Sequence, residues 1–214
     1  MLTERAGTSE TRRSLVDAAK SLIETRGLAN LTTRAVTREA GCSEGALYTH
    51  FPHKADLLFA VCQERLPDFR ATVGDLIEHV GRGSVPRNLE AIIVAAQRFY
   101  ADLIPVSSGI AADRELLLRH REHMKRHGVG PRKTLEAVAT YIAAEQRIGR
   151  IDSGIAPQMY ATMLLGACLA TASAEQVLGE SLLGLEPARF ARLLARALWE
   201  GMAPRSTGGG DGHD

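Results

Sequence analysis

Apolar residues recur at helical spacing along the whole of this chain, and no stretch alternates apolar and polar residues as a half-buried strand does. In the first segment Leu15, Ala18 and Leu22 form one apolar stripe. Gly27 is expected to end this helix, because glycine tolerates the left-handed backbone that follows a helix. The pattern predicts an all-α fold.

Two short helices joined by a glycine turn are predicted next. Thr32 and Thr33 offer hydroxyl caps to a helix that runs to about Ala40, Gly41 makes the turn, and Ser43 caps the following helix. This is the helix-turn-helix arrangement, in which the second helix enters the major groove of DNA. Helical corners of this kind also occur in enzymes. DNA binding is therefore predicted only if the side chains of the motif are suited to DNA.

Prolines bound the next segment. Pro52 ends the third helix at Phe51, because the residue before a proline disfavours the α region. A fourth helix is expected to begin near Lys54, and Pro67 should kink or break it.

Longer helices separated by glycine and proline fill the rest of the chain. We predict helices over about 89–103, 111–127, 135–148, 155–179 and 187–202, with the segment PVSSG (105–109) ending the first of them. The resulting division is a helix-turn-helix domain at 11–70 with its motif at about 32–51, a domain of long helices at 71–203, and a glycine-rich, disordered tail at 204–214.

The overall composition indicates no particular partner. The net charge of the 214 residues is only +1, so any nucleic-acid site must be a local patch. Cys42, Cys62 and Cys168 are odd in number and far apart, which favours free thiols in a reducing cytoplasm over disulfides or a zinc site.

No membrane partner is expected either. Residues 1–13 lack the apolar region of a secretory signal. Residues 154–174 carry no charge, but their proline, glutamine and small residues make them too weakly apolar for a membrane span. We therefore expect a buried bundle helix there, and a cytoplasmic protein.

The outer face of the helix-turn-helix carries side chains suited to DNA. Hydroxyls and free N–H groups at a helix start bind phosphate, and small residues let the backbone approach base edges. Leu47 and Phe51, four residues apart, should point into the core instead. The candidate DNA-binding residues are Thr32, Thr33, Arg34, Ser43, Glu44, Gly45, Ala46, Tyr48, Thr49, His50 and Lys54.

The segment from Arg13 to about Arg65 resembles the DNA-binding domain of the TetR family of transcriptional repressors. The similarity lies in the entry LTTR, the recognition unit EAG.S.G.LY.HF and the K..LL opening of the fourth helix. The resemblance implies a three-helix head on a variable all-α body that binds a ligand and dimerises. It also implies a homodimeric repressor that leaves a palindromic operator when a small effector binds.

By the same resemblance, the last two helices should pair with those of a second subunit. Small residues on the first of them permit close approach of backbones, and the last helix is more apolar than one subunit readily covers. Packing inside one subunit is the alternative. The candidate interface residues are Gly166, Ala167, Ala170, Ala174, Phe190, Leu194, Ala197 and Leu198.

Aromatic and methionine side chains of the body are candidates for the pocket of a small apolar or amphipathic effector, with ordinary core packing as the alternative. Met159 and Met163, four residues apart, are expected to face it together, away from the dimer face. The candidates are Phe99, Tyr100, Met124, Tyr141, Met159 and Met163.

His120, His123 and His127 lie on one face of a predicted helix, at spacings that can chelate Zn²⁺ or Ni²⁺. The arginines and lysines between them oppose a cation and favour a solvated basic face. We therefore expect no metal or other cofactor, and keep a metal-responsive regulator as the alternative.

No catalytic motif is present in the sequence, so an enzyme is not expected. An all-α ligand-binding protein or enzyme without DNA binding remains the further alternative to a DNA-binding regulator.

Overall fold

The computed structural model describes residues 2–63 and 66–204, with side chains from Glu10 onward except that of Ala29. This part is helical and contains no strand, which confirms the all-α prediction. A 3-10 turn, Leu28–Asn30, follows the first helix. The α-helices are α1 (Leu2–Arg26), α2 (Thr33–Ala40), α3 (Glu44–His50), α4 (Lys54–Cys62), α5 (Leu66–Glu78), α6 (Val85–Ala112), α7 (Arg114–His127), α8 (Pro131–Arg147), α9 (Pro157–Leu178) and α10 (Pro187–Met202).

Two clusters of buried apolar side chains organise these helices. The N-terminal core joins α1 to α4 around residues such as Leu15, Leu47 and Leu58, each at most 1% exposed. The C-terminal core joins α5, α6, α8, α9 and α10 around residues such as Ile92 and Tyr141, which are fully buried. Most of the predicted tail, 205–214, lies outside the described residues.

Helix α6 runs through both cores, and here the prediction from the sequence is wrong. The segment after Pro105 continues the helix to Ala112 instead of ending it. Proline removes one backbone donor and strains the preceding turn, but Val106 and Ile110 beyond it are 2% and 1% exposed in the N-terminal core. The free energy gained by burying these side chains outweighs the tendency of Pro105 to end the helix.

The junction between α4 and α5 differs from the prediction in one detail. Helix α4 already ends at Cys62, and Pro67 lies in the first turn of α5. Proline is tolerated there, because the N–H groups of a first turn have no partner within the helix.

Helix α9 is buried on one face only, contrary to the expectation of a buried bundle helix. Tyr160 and Leu164 pack into the C-terminal core, whereas Met159 and Val177 are 54% and 85% exposed. By length and composition α9 could cross a membrane, with a mean hydropathy of 1.3, but core helices of soluble proteins satisfy the same criterion. Its outer face is thus apolar and uncovered in this chain.

Candidate nucleic-acid interface

Two hydroxyl caps and one glycine define the helix-turn-helix. Thr32 Oγ1 accepts a hydrogen bond from the N–H of Ala35 at 3.1 Å, and Ser43 Oγ accepts one from the N–H of Ala46 at 3.2 Å. Between the helices Gly41 has φ = 66°, the left-handed conformation that glycine adopts without steric cost. The turn at Gly41 and the caps by Thr32 and Ser43 are therefore confirmed, whereas Thr33 is the first residue of α2 and not its cap.

Apolar anchors hold this unit on α1. Val36, Leu47 and Phe51 are 1%, 0% and 2% exposed, as expected for the inward side of the motif. The guanidinium of Arg12 lies over the Phe51 ring at 5.1 Å from its centroid, a cation–π contact that fixes α1 against the end of α3. The opposite side of α3 is left facing outward.

The candidate DNA-binding residues lie in the first turns of α2 and α3, along the outer side of α3, and at the start of α4. Thr33, Ala46 and His50 are half-buried; Thr32, Arg34, Ser43, Glu44, Gly45, Tyr48, Thr49 and Lys54 are exposed. Thr49 Oγ1 donates to the carbonyl of Gly45 at 2.9 Å within the helix. The exposed set presents hydroxyls, a phenol, two cations and the carboxylate of Glu44.

The cations of this surface are free for an external partner. Within the described residues, neither Arg34 nor Lys54 forms an ion pair. At the start of α4, Asp56 accepts a hydrogen bond from the N–H of His53 at 3.0 Å, which fixes the first turn that carries Lys54. A negatively charged partner such as a phosphate would find Lys54 in a defined position.

A second candidate site lies where the end of α4 meets α6, α7 and the start of α8. It is a cavity of about 190 Å³, and three of the predicted pocket residues line it: Phe99, Tyr100 and Met124. Gln63 and His120 also line the cavity, and the sequence did not indicate them as pocket residues. They are far apart in the chain, and only the fold brings them together.

The other three predicted pocket residues do not line this cavity, and their placement corrects the prediction. Tyr141 is fully buried in the C-terminal core, and its hydroxyl accepts a hydrogen bond from Asn88 at 2.9 Å. Met159 and Met163 are 54% and 44% exposed. They share the outer face of α9 with Gly166, because residues seven apart lie two turns away on the same side of a helix.

The candidate dimer residues lie on that outer face or beside it. Phe190, Leu194 and Leu198 are half-buried against the C-terminal core, Ala167 and Ala174 are half-buried, and Gly166, Ala170 and Ala197 are exposed. Leu193 on α10 adds a side chain that is 48% exposed. The face is apolar and made largely of small side chains.

The three histidines of α7 do not form a metal site. Among the described residues, no group of three or more His, Cys, Asp and Glu side chains could hold a metal ion. His120 and His123 pack against Phe59 of α4 at ring distances of 4.9 and 4.8 Å, and His123 Nε2 is 2.8 Å from the Gln63 amide nitrogen. The alternative of a metal-responsive regulator through His120, His123 and His127 stays a prediction.

Comparison with known proteins identifies the N-terminal part. Residues 15–61 match the family model described as "Bacterial regulatory proteins, tetR family". The transcriptional regulator SrpR of Pseudomonas putida is 32% identical over 90 residues, which are 42% of this chain and 39% of SrpR. TtgW, an HTH-type regulator also of Pseudomonas putida, is 32% identical over 90 residues, which are 42% of this chain and 63% of TtgW. Both matches span less than two thirds of the relative.

Solved structures share the fold over nearly the whole chain. FadR of Bacillus subtilis in complex with stearoyl-CoA covers 88% of this chain and 98% of its own, with a TM-score of 0.68 at 18% identity. SmeT, the repressor of the Stenotrophomonas maltophilia efflux pump SmeDEF, covers 93% and 98%, with a TM-score of 0.66 at 17% identity. The SmeT–triclosan complex covers 90% and 91%, with a TM-score of 0.63 at 19% identity. These identities establish a common fold only.

Proposed function

We propose that this chain is a TetR-family repressor of transcription that a small effector releases from a palindromic operator. The proposal rests on one observation. Helices α2 and α3 are capped and joined at Gly41, and the outer side of α3 is not packed against the rest of the described chain. The proposed division is a DNA-binding domain at 11–70 and a ligand-binding and dimerisation domain at 71–203, with Val106 and Ile110 of the second domain packed into the core of the first.

DNA contact follows from the chemistry of that face. The first turns of α2 and α3 offer N–H groups and the hydroxyls of Thr32 and Ser43 to phosphates. Gly45 and Ala46 present little side chain, so α3 can lie deep in the major groove. Tyr48 and Lys54 border the helix and reach the backbone on the same side.

A homodimer would cover the outer face of α9. Met159, Met163 and Val177 are each more than 40% exposed on it, and Gly166 and Ala170 between them leave room for a second helix. Two-fold pairing through this face and α10 would place two α3 helices on one side of the dimer. Two recognition helices one turn of DNA apart recognise a palindrome.

Helix α4 links the two sites. It begins at Lys54 on the proposed DNA surface and ends at Cys62, which lines the 190 Å³ cavity. The solved relatives FadR and SmeT hold stearoyl-CoA and triclosan, which supports a ligand-binding body here. A ligand that favours another position of the end of α4 would shift the equilibrium between heads that fit the operator and heads that do not.

Two of the three thiols are buried and are not activated as nucleophiles. Burial raises the pKa of both Cys62 and Cys168 to about 12, so both remain protonated at pH 7. A protonated thiol is a poor nucleophile. We accordingly propose a cytoplasmic DNA-binding protein without catalytic activity.

The test replaces Tyr48 and Lys54 together by alanine in the full chain. Operator sequences are first selected from a random DNA pool with the unaltered protein, and binding is then measured by fluorescence anisotropy. The double variant should bind the selected DNA at least about 100-fold more weakly, because two backbone contacts per subunit are lost.

Lys125→Ala serves as the matched control, since Lys125 is an exposed cation on α7, outside the helix-turn-helix and the start of α4. It should bind the operator as the unaltered protein does, and both variants should keep the same mass by light scattering. Unchanged affinity of Tyr48→Ala/Lys54→Ala would show that this face is not the operator surface.

A further inference from the structure

The outer side of α3 carries a threonine whose hydroxyl group is already used within the helix. We propose that this residue, Thr49, determines specificity for thymine: its Cγ2 methyl group contacts the 5-methyl group of one thymine in each half of the operator. The inference rests on the proposed function, because it takes the outer side of α3 as the surface that enters the major groove.

A hydrogen bond fixes the orientation of the Thr49 side chain. Its Oγ1 donates to the carbonyl oxygen of Gly45, four residues earlier, at 2.9 Å. The position of Oγ1 sets the single side-chain torsion of threonine, and the same torsion sets the position of the methyl group. Because Thr49 is exposed and its hydroxyl turns toward its own helix, the methyl group is the part left to an outside partner.

The same bond limits the hydrogen bonds that Thr49 can form with bases. A hydroxyl group has one donor, and that of Thr49 is committed to the carbonyl of Gly45. The acceptors that guanine, adenine and thymine present in the major groove therefore find no donor in this side chain. The lone pairs of Oγ1 could still accept from an amino group of adenine or cytosine, which is the alternative to a methyl contact.

Gly45 leaves space for a base beside this methyl group. It is exposed and lies one turn before Thr49, on the same side of α3. Apart from its chain neighbours and the helix backbone, the only atom of the described residues within 4 Å of a Cβ added at Gly45 is Ser43 Oγ, at 3.8 Å. A base edge can therefore approach the backbone at Gly45 with the Thr49 methyl group at its side.

Thymine is the base whose edge matches this surface. It alone presents a methyl group in the major groove, and small apolar groups such as the methyl of threonine contact it there. Contact between the two methyl groups removes apolar surface from water, which the polar edges of the other bases cannot reproduce. Tyr48 and Lys54 would then hold α3 on the phosphates, and Thr49 would select the base.

Deoxyuridine tests the contact without any change to the protein, because uracil pairs as thymine does and lacks only the 5-methyl group. Operators are selected from a random DNA pool with the unaltered full chain. Each thymine is then replaced in turn, in both half-sites, and binding is measured by fluorescence anisotropy. At one symmetric pair of positions the replacement should weaken binding at least about tenfold, since burial of one methyl group supplies about fourfold in each half-site.

Two variants of Thr49 assign this loss to its methyl group. Thr49→Ser keeps the hydroxyl and removes the methyl, so it should bind the thymine and uracil operators about equally. Thr49→Val replaces the hydroxyl by a second methyl group and should keep the preference for thymine, whatever its overall affinity. Thr140→Ser is the matched control, because Thr140 is exposed on α8 and its Oγ1 donates to the carbonyl of Glu136 at 2.8 Å. It should discriminate as the unaltered protein does.

Equal affinity for thymine and uracil at every position would overturn the inference, as would a thymine preference that Thr49→Ser retains or that Thr49→Val loses. Loss in Thr49→Val would assign the contact to the hydroxyl group instead. Selection of no DNA at all would contradict the proposed function and the Thr49 contact together. If binding requires Tyr48 and Lys54 but is insensitive to the missing methyl group, only the role of Thr49 is contradicted.

Discussion

The hydroxyls of Thr32 and Ser43 have two roles available at once. Each oxygen accepts a hydrogen bond from the backbone of its own helix, at 3.1 and 3.2 Å. Accepting uses a lone pair only, so each O–H remains free to donate outward. The same atom can therefore start a helix and bind a phosphate.

Substitutions at Ser43 separate these roles. Ser43→Ala should lower the free energy of unfolding by about 1 kcal/mol, because the cap of α3 is lost. Ser43→Asp keeps the cap but brings a negative charge to the phosphates, so it should keep the stability and lose at least about tenfold in operator affinity. Urea unfolding and fluorescence anisotropy measure the two quantities.

Ser43→Asn is the control, since asparagine caps as well as serine and carries no charge. It should keep the stability and most of the operator affinity. If Ser43→Asp bound the operator as tightly as the unaltered protein, Ser43 would not face DNA.

At the residue scale, the sequence predicted what depends on near neighbours. A cap joins residues three apart, so Ser43 and Ala46 could be paired from the sequence alone. The contact between Gln63 and His123 joins residues 60 apart, and no local sequence pattern predicts it. For this reason the helix-turn-helix was predictable residue by residue, whereas the cavity was not.

Among the elements, α6 is the one that connects the two cores. Its far end packs against the 3-10 turn after α1, where Gly109 lies against Leu28. A Cβ added at Gly109 would overlap Leu28 Cδ2 and stand 3.0 Å from Leu28 Cβ. The sequence could not predict this contact, because proline and glycine in PVSSG are the usual signals of a helix end. The helix continues because its last turns are buried against another element, and a local signal of proline and glycine cannot predict that burial.

Gly109→Ala should therefore lower the free energy of unfolding by about 1–3 kcal/mol, the usual cost of overpacking, although alanine is the better helix former. The double variant Gly109→Ala/Leu28→Ala removes the clash. Its destabilisation should be smaller than the sum of the two single changes by at least about 0.5 kcal/mol.

Urea unfolding of the four proteins in this cycle measures the coupling. Strictly additive effects would mean that the added methyl group at residue 109 does not interact with Leu28, and would contradict the proposed overpacking.

For the whole molecule, the apolar outer face of α9 determines what the chain does in solution. Helical periodicity predicted α9 but not which of its faces the rest of the chain covers. The methionines at 159 and 163 were assigned to a pocket on their chemistry, and only the packing of Tyr160 and Leu164 shows that they face outward. An exposed face of this kind indicates a partner.

Ala170→Glu places a carboxylate near the middle of that face. Across a two-fold axis the two charges would be buried without partners, so the dissociation constant of the dimer should rise at least about 100-fold. Sedimentation velocity over a range of protein concentrations measures it, and operator affinity should fall with the dimer.

Gln158→Glu adds the same charge at an exposed position at the edge of the same helix and should leave the dimer intact. A dimer that tolerates Ala170→Glu would have to form through another surface.

The short length of α4 has an evolutionary consequence. Lys54 and Cys62, at its two ends, are about 12 Å apart along the helix axis. Residues that would hold the protein on its promoter and residues that would contact the sensed molecule thus occupy separate turns of one rigid rod. Mutations at either end can accumulate without disturbing the other, so descendants of this protein could acquire new signals while retaining their old genes, or the reverse.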